Sequence, residues 1–325
     1  VLRKIGNGVA LVLLSCSPAE REPVGPMLFP GIPSAATPPA PGPVLSLLGR
    51  ELAPPPVSEE RRAELETKLA GWKARVASPD PGEDDFVWYG RTLAYLHRYH
   101  EAQAAFTDGL ARFPESHKLL RHRGHRWITI RRLDEARQDL ERAAALIDRD
   151  RRPDEVEPDG APNARGVPRS TSHSNVWYHL ALVRFLRAEW EPAAAAWRRC
   201  LEWSRNDDTL VAATHWLWSS LRRAGRDQEA RRALEAIRPR MEIFENDAYH
   251  QLCLLYRGDL GPEGVLRGDV ADGAQIAAAG FGVAHWHLCE GRREEALKLL
   301  RRLSENPMWP AFGVIAAEAE LARAR

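Results

Sequence analysis

The stretch YGRTLAYLHRYHEAQAAFTDGLARFP, residues 89–114, decides the fold. Gly90, Ala102 and Gly109 are small, Phe106 among them is bulky, and Pro114 closes the run. One period of 34 residues later, the same positions carry Gly124, Ala136, Leu140 and Ala143. Small residues let two helices cross closely, and the bulky one fills the space beside the crossing. The spacing predicts amphipathic helices in pairs. Neither member can hide its apolar stripe alone, so successive pairs must stack.

Working outward, the pattern places units at about 83–116 and 117–150, then at about 174–207 and 211–240. A degenerate unit at 244–270 follows, spoiled in its second half by Gly258, Gly261, Pro262 and Gly264. A last unit spans 277–305, and residues 309–324 read as a solvent-facing capping helix. Second helices open on acidic turns, as in Leu133-Asp134-Glu135, which suits the positive end of a helix dipole. Residues 59–76 read as a lead-in helix with Leu65, Leu69, Trp72 and Val76 on one face. One continuous repeat domain over 58–325 is expected.

This period and arrangement resemble the tetratricopeptide repeat (TPR) family. The resemblance implies an all-α fold, a right-handed superhelical solenoid of helix–turn–helix repeats. It also implies a concave face built from set positions of each first helix. Carried over, those positions are Asp84, Val87, Arg91 and Ala94, then Lys118, Arg121, His125 and Ile128. The third unit gives Asn175, Tyr178, Leu182 and Phe185, the fourth His215, Ser219 and Arg222, and the last Phe281, His285 and Leu288. Such a groove is basic at its amino-terminal half and aromatic beyond. It suits an extended peptide or partner helix of acidic character. The basic run of residues 117–132 reads either as a solvated helix face or as a site for carboxylate or phosphate, where Arg has the geometric advantage. The paired Lys/Asn arrangement of chaperone-binding TPR domains is missing.

Residues 151–173 interrupt the period with an acidic, Pro-containing segment. A break of this length is either functional or a disordered linker; if ordered, it should fold over the groove mouth. The amino terminus carries Arg3-Lys4, an apolar run and then Ser15-Cys16. This resembles a bacterial lipoprotein signal over residues 1–15, with Cys16 as the lipidated residue, ordinary secretion and an accidental apolar start being the alternatives. Between Ser17 and Val57, 12 of 41 residues are Pro, so residues 16–57 read as a tether, apart from an apolar stretch at 44–52 that could dock on the first helices. The expected location is the periplasmic side of a bacterial envelope, with membrane contact through the lipid only.

A formal net charge of +1 argues against bulk nucleic-acid affinity. Cys200, Cys253 and Cys289 are an odd set at apolar positions, which favours buried free thiols, with one disulfide possible. Neither a zinc-type spacing nor a hydrolase or phosphate-loop motif occurs, and no cofactor is expected. His179, His215, His250, His285 and His287 fall on first helices, where a satisfied structural His is the simpler reading. Two functions follow: a non-enzymatic, lipid-anchored adaptor with a peptide groove, or an envelope enzyme or small-ligand binder using a His-rich pocket lidded by 151–173.

Overall fold

The computed structural model describes residues 42–150, 153–158, 163, 165–266 and 273–325. Cys16, the expected signal and the first part of the expected tether lie outside the described residues. The fold is all-α. Fourteen helices are present among the described residues.

The lead-in helix α1 spans Glu59–Val76, with Leu65 and Leu69 buried. Four hairpins follow in register with the repeat: α2 (Glu83–Tyr95) with α3 (Tyr99–Arg112), α4 (His117–Thr129) with α5 (Leu133–Asp150), α6 (Ser172–Leu186) with α7 (Trp190–Glu202), and α8 (Asp207–Arg223) with α9 (Asp227–Ala233). In the degenerate unit α10 (Asp247–Arg257) is complete, whereas α11 (Pro262–Leu266) is a single short turn of helix. The last hairpin is α12 (Gly273–Cys289) with α13 (Arg293–Ser304), and α14 (Phe312–Arg323) ends the chain. First helices pack on one another in sequence, α2 on α4, α4 on α6, α6 on α8, α8 on α10 and α10 on α12.

Two local rules account for this regularity. At the crossings, a Cβ added to Gly124 would lie 2.7 Å from Leu140 Cγ, and one added to Gly90 would collide with the Phe106 ring. Only glycine permits that approach. At the turns, a residue one or two places past the end of each first helix adopts a left-handed φ: His97, Arg131, Ala188, Gly225, Gly258 and Gly291. Each turn closes with the same two bonds, as in His97 N–H to Ala94 C=O at 3.0 Å and Arg98 N–H to Leu93 C=O at 2.9 Å. This is the Schellman closure, which satisfies the last carbonyls of a helix.

Three features depart from expectation. Helix α14 is not a solvent-facing cap. Val314, Ile315, Ala316, Ala317 and Glu318 are all fully buried, and the helix packs on α12, α13 and α6. Its apolar residues join the core, and its carboxylates meet cations at the carboxy-terminal ends of distant first helices: Glu318 pairs with Arg131, just after α4, at 2.8 Å and Glu320 with Arg223, the last residue of α8, at 2.5 Å. Second, residues 42–53 are not free tether: the Gly42 carbonyl lies 2.9 Å from His100 Nε2 on α3. They form a small bridged turn, with Leu45 opposite Glu51, that meets the carboxy-terminal elements. Leu47 N–H donates to Glu318 at 3.0 Å, and Trp309 Nε1–H donates to the Ala53 carbonyl at 2.6 Å. The third departure is at the stunted α11, where α12 packs on α8 as well as on α10.

Candidate functional site

The basic end of the groove is built by α2, α4 and the start of α6. Lys118 and Arg121 line it from successive turns of α4, and Arg91 lines it from α2. An extended piece of the chain's own 151–173 segment lies across them. Val156 bridges Thr171 in antiparallel fashion, with Glu157 N–H to Ser170 C=O at 3.1 Å and Ser172 N–H to Glu155 C=O at 2.8 Å. That pairing holds residues 155–157 as a strand and sends both glutamates into the basic cluster. Glu155 meets Lys118 at 2.8 Å. Glu157 meets Arg121 at 2.9 Å, His122 at 3.1 Å and Arg91 at 3.7 Å, and accepts from Asn175 at 2.8 Å. Arg91 also donates to the Pro158 carbonyl at 2.8 Å.

The electrostatics are one-sided. Burial alone would raise the Glu157 carboxyl, but Arg121, His122 and Arg91 outweigh it and hold its pKa far below the carboxylate range. Burial, reinforced by Arg121, pushes His122 down to about 3. The imidazole is therefore neutral, accepting from Arg121 on Nδ1 at 2.8 Å and donating from Nε2 to Glu157. Glu157 stays charged in a nearly dry setting because cations and donors surround it.

The rest of the basic run divides by partner. Arg123 is structural, held by both oxygens of Asp139 at 2.7 Å. Arg131 belongs to the α14 contact described above, and Arg132 pairs with Glu135. The side chain of Arg126 makes no hydrogen bond or ion pair with the described residues, while its carbonyl accepts from Ile130 N–H at 3.0 Å.

Beyond Arg121 the groove opens into a cavity of about 420 Å³ walled by α4, α6, α8, α10, α12 and the start of α14. Asn175, Tyr178, His125 and His179 line one side, and Tyr249, Gln275 and Phe312 the other. The His125 and His179 rings lie 4.4 Å apart, with Phe312 5.2 Å from His125. Burial drives both imidazoles well below their ordinary pKa, so both are neutral near pH 7. Tyr178 accepts from Trp216 Nε1–H at 3.0 Å. Asn163 reaches over from the 151–173 segment to Glu245 at 2.8 Å.

Of the expected groove residues, Arg91, Lys118, Arg121 and Asn175 converge on the acidic strand, and His125 and Tyr178 line the cavity. His215, Ser219 and His285 are not on an open face. All three are fully buried, because α10 and α12 pack on α8 and α14 packs in turn on α12, which carries His285. His215 lies 2.9 Å from the Tyr256 hydroxyl, and His285 packs against Phe185 and Phe281. Arg222 is tied to Glu290 at 3.1 Å and to the Cys289 carbonyl at 2.8 Å. Sequence reasoning missed His122, Glu155 and Glu157. The alternation of Glu155 and Glu157 about Val156 was the available signal, since it puts two carboxylates on one face of a strand.

Burial raises the thiols of Cys200 and Cys289 to about 12, and that of Cys253 further, so all three stay protonated near pH 7. All three are free. Among the described residues no cluster of three or more His, Cys, Asp or Glu could hold a metal ion, and no helix is long and apolar enough to cross a membrane.

No family model and no curated protein matches the sequence. Solved structures do. A tetratricopeptide repeat protein from Parabacteroides merdae aligns with 78% of this chain and 93% of its own, at 13% identity and a TM-score of 0.46. YrrB, described as a TPR protein with an unusual peptide-binding site, aligns with 74% of this chain and 96% of its own, at 14% identity and a TM-score of 0.41. A putative kinesin light chain from Podosopora anserina with nearly identical TPR-like repeats gives 74%, 94%, 14% and 0.41 in the same order. The chain is similar to these repeat proteins.

Proposed function

We propose that the protein is a non-enzymatic repeat scaffold that binds an extended acidic segment of a protein partner at the basic end of its groove. One observation carries this reading. An extended acidic strand of the chain itself already occupies that place, with Glu155 on Lys118 and Glu157 on Arg121 and Arg91. The groove thus displays its own recognition rule: two carboxylates two residues apart, met by one Lys and a pair of Arg, with Asn175 completing the set. A partner segment with that spacing would take the same contacts once the internal strand leaves. Attachment to a bacterial envelope through a lipid on Cys16 is part of the proposal and rests on the residue 3–16 sequence alone.

The test is an array of extended peptides. Those with two acidic residues at alternate positions should bind, and their Gln counterparts should bind about tenfold more weakly, a difference of ~1.4 kcal/mol. Arg121→Glu, or Lys118→Glu at the more exposed rim, should abolish binding. Peptides that bind equally well with Gln, or that ignore both variants, discard the groove assignment.

The cavity beside Arg121 supports a second reading, a small-ligand binder closed by the 151–173 segment. The Asn163–Glu245 bond across its mouth favours it. Its size falls within the range of ligand pockets, on the order of 300–1,000 Å³.

A further inference from the structure

A recess of about 250 Å³ lies where the carboxy-terminal ends of α8 and α12 approach α13 and α14. It shares no wall with the basic end of the groove. Its lining is of two kinds. Leu288, Leu297 and Leu300 form an apolar floor, Leu300 buried and the other two half-buried. Arg223, Arg293 and Arg323 stand around that floor, and Glu320 is the carboxylate among the lining residues.

Two of the cations are held in place before any ligand arrives. Glu320 takes Arg223 at 2.5 Å and Arg323 at 2.8 Å. Both guanidiniums lie over the Trp190 ring, 4.4 and 5.2 Å from its centre. Arg323 also donates to the Leu186 carbonyl at 2.9 Å. Burial works to raise the Glu320 carboxyl, but Arg323 and Arg223 outweigh it and keep its pKa low. The carboxylate therefore stays ionised, and the clamp is a fixed feature of the fold. A guanidinium has more N–H groups than these contacts use, and both side chains remain about a quarter exposed. Arg293 differs. It is exposed in the first turn of α13, and its side chain makes no hydrogen bond or ion pair with the described residues. A cation there faces the positive end of the helix dipole, the unfavourable end for it. Glu294 and Glu295 of the same turn do not line the recess. Seating α14 requires Arg223, Arg323 and Glu320, and takes nothing from Arg293.

We infer that this recess binds a short aliphatic chain ending in a carboxylate, with the chain on Leu288, Leu297 and Leu300 and the carboxylate at Arg293 and the free edges of Arg223 and Arg323. An apolar floor alone would accept a neutral chain, and cations alone would accept any anion. Both in one recess select a molecule that carries the two together. The fork of arginine matches a carboxylate two oxygens at a time, and Glu320 already shows that contact within the site. The size selects a short chain, since the recess falls below the ~300 Å³ at which drug-sized ligand pockets begin. Two sources carry this chemistry, a free short fatty acid and an aliphatic residue at the carboxy end of a peptide.

The experiment is a calorimetric titration of the full chain at pH 7.5 with octanoate and with N-acetyl-leucine. Acetate, which lacks the chain, and octanamide, which lacks the charge, serve as controls at matched ionic strength. One saturable site is expected for octanoate, for N-acetyl-leucine or for both, with none for acetate and at least about tenfold weaker binding of octanamide. Octanoate alone would indicate a free acid, and N-acetyl-leucine alone a chain end. Arg293→Gln should weaken binding about tenfold while leaving thermal unfolding unchanged, because its side chain supports no contact in the fold. Absence of saturable binding by both acids, equal binding of octanamide or acetate, or full affinity in Arg293→Gln overturns the inference. Failure of acidic peptides to bind the basic end leaves it untouched, since the two places have no residue in common.

Discussion

Replacing Glu318 by Leu is expected to cost about 3–5 kcal/mol in chemical denaturation, the usual penalty for stripping one partner from a buried ion pair. Its carboxylate is fully buried and takes Arg131 Nε at 3.0 Å and a second Arg131 nitrogen at 2.8 Å. The same carboxylate accepts from Leu47 N–H at 3.0 Å. Without it, the Arg131 guanidinium keeps backbone carbonyls, including Trp309 C=O at 3.0 Å, but no counter-charge. Three distant pieces of chain meet here: the turn after α4, the 42–53 segment and α14. Hydrogen exchange should accordingly rise in α14 and in residues 42–53 before it rises in α5 or α7. The double variant Arg131→Met with Glu318→Leu should recover most of the loss, because an apolar pair of similar volume is often neutral or better. A loss under about 1 kcal/mol for the single variant would mean that α14 is not seated between the ends of the first helices.

Acid should unfold the protein well above the carboxylate range. His122, His179, His215 and His285 are all buried, and burial lowers each pKa, to about 3 for His122 and His285 and well down for the other two. In the unfolded chain each returns to ~6.5. Below that pH the unfolded state binds protons that the folded state refuses, so stability is full above about pH 6.5 and falls as pH drops toward the folded values. Each such His costs ~1.4 kcal/mol per pH unit in that window. At pH 5.5 the four together remove roughly 5 kcal/mol, against a total of about 5–15 kcal/mol for a typical domain. Glu157, whose folded pKa is depressed, adds its own loss only once pH falls below the ordinary carboxylate value. Thermal unfolding between pH 7 and pH 5.5 is the check, and His285→Phe should flatten the slope by about one proton's worth. A stability that stays level across that range would show that these imidazoles are not held neutral.

The hairpins were legible because their determinants are local. Gly90 against Phe106 and Gly124 against Leu140 are contacts between neighbouring helices, and they repeat in the sequence at the period of the structure. The lead-in helix was legible for the same reason, its Leu65 and Leu69 marking a face. The burial of α14 was not. Its Glu318, Glu320 and Arg323 read as a solvated surface, and the cations that answer the two glutamates lie 187 and 97 residues earlier in the chain. Periodicity carries no information on pairings of that range. The same holds for His215 and His285, which occupy groove positions by register but are covered once the stunted α11 lets α12 close onto α8. At the basic end, the positions carried over from the TPR resemblance include Arg91, Lys118 and Arg121, and the structure brings these three together around Glu155 and Glu157. Glu157 was not among those positions, because a break in the repeat gives no register from which to read it.

The most direct measurement is a titration of the peptide Asp-Glu-Val-Glu-Pro, the sequence of residues 154–158, into the wild-type chain and into a Glu155→Gly, Glu157→Gly variant. If the basic end of the groove is a site for extended acidic chain, the peptide should bind the variant at least about tenfold more tightly, a gain of ~1.4 kcal/mol, and should weaken as salt is added. Equal affinity for the two proteins, or none for either, would contradict it.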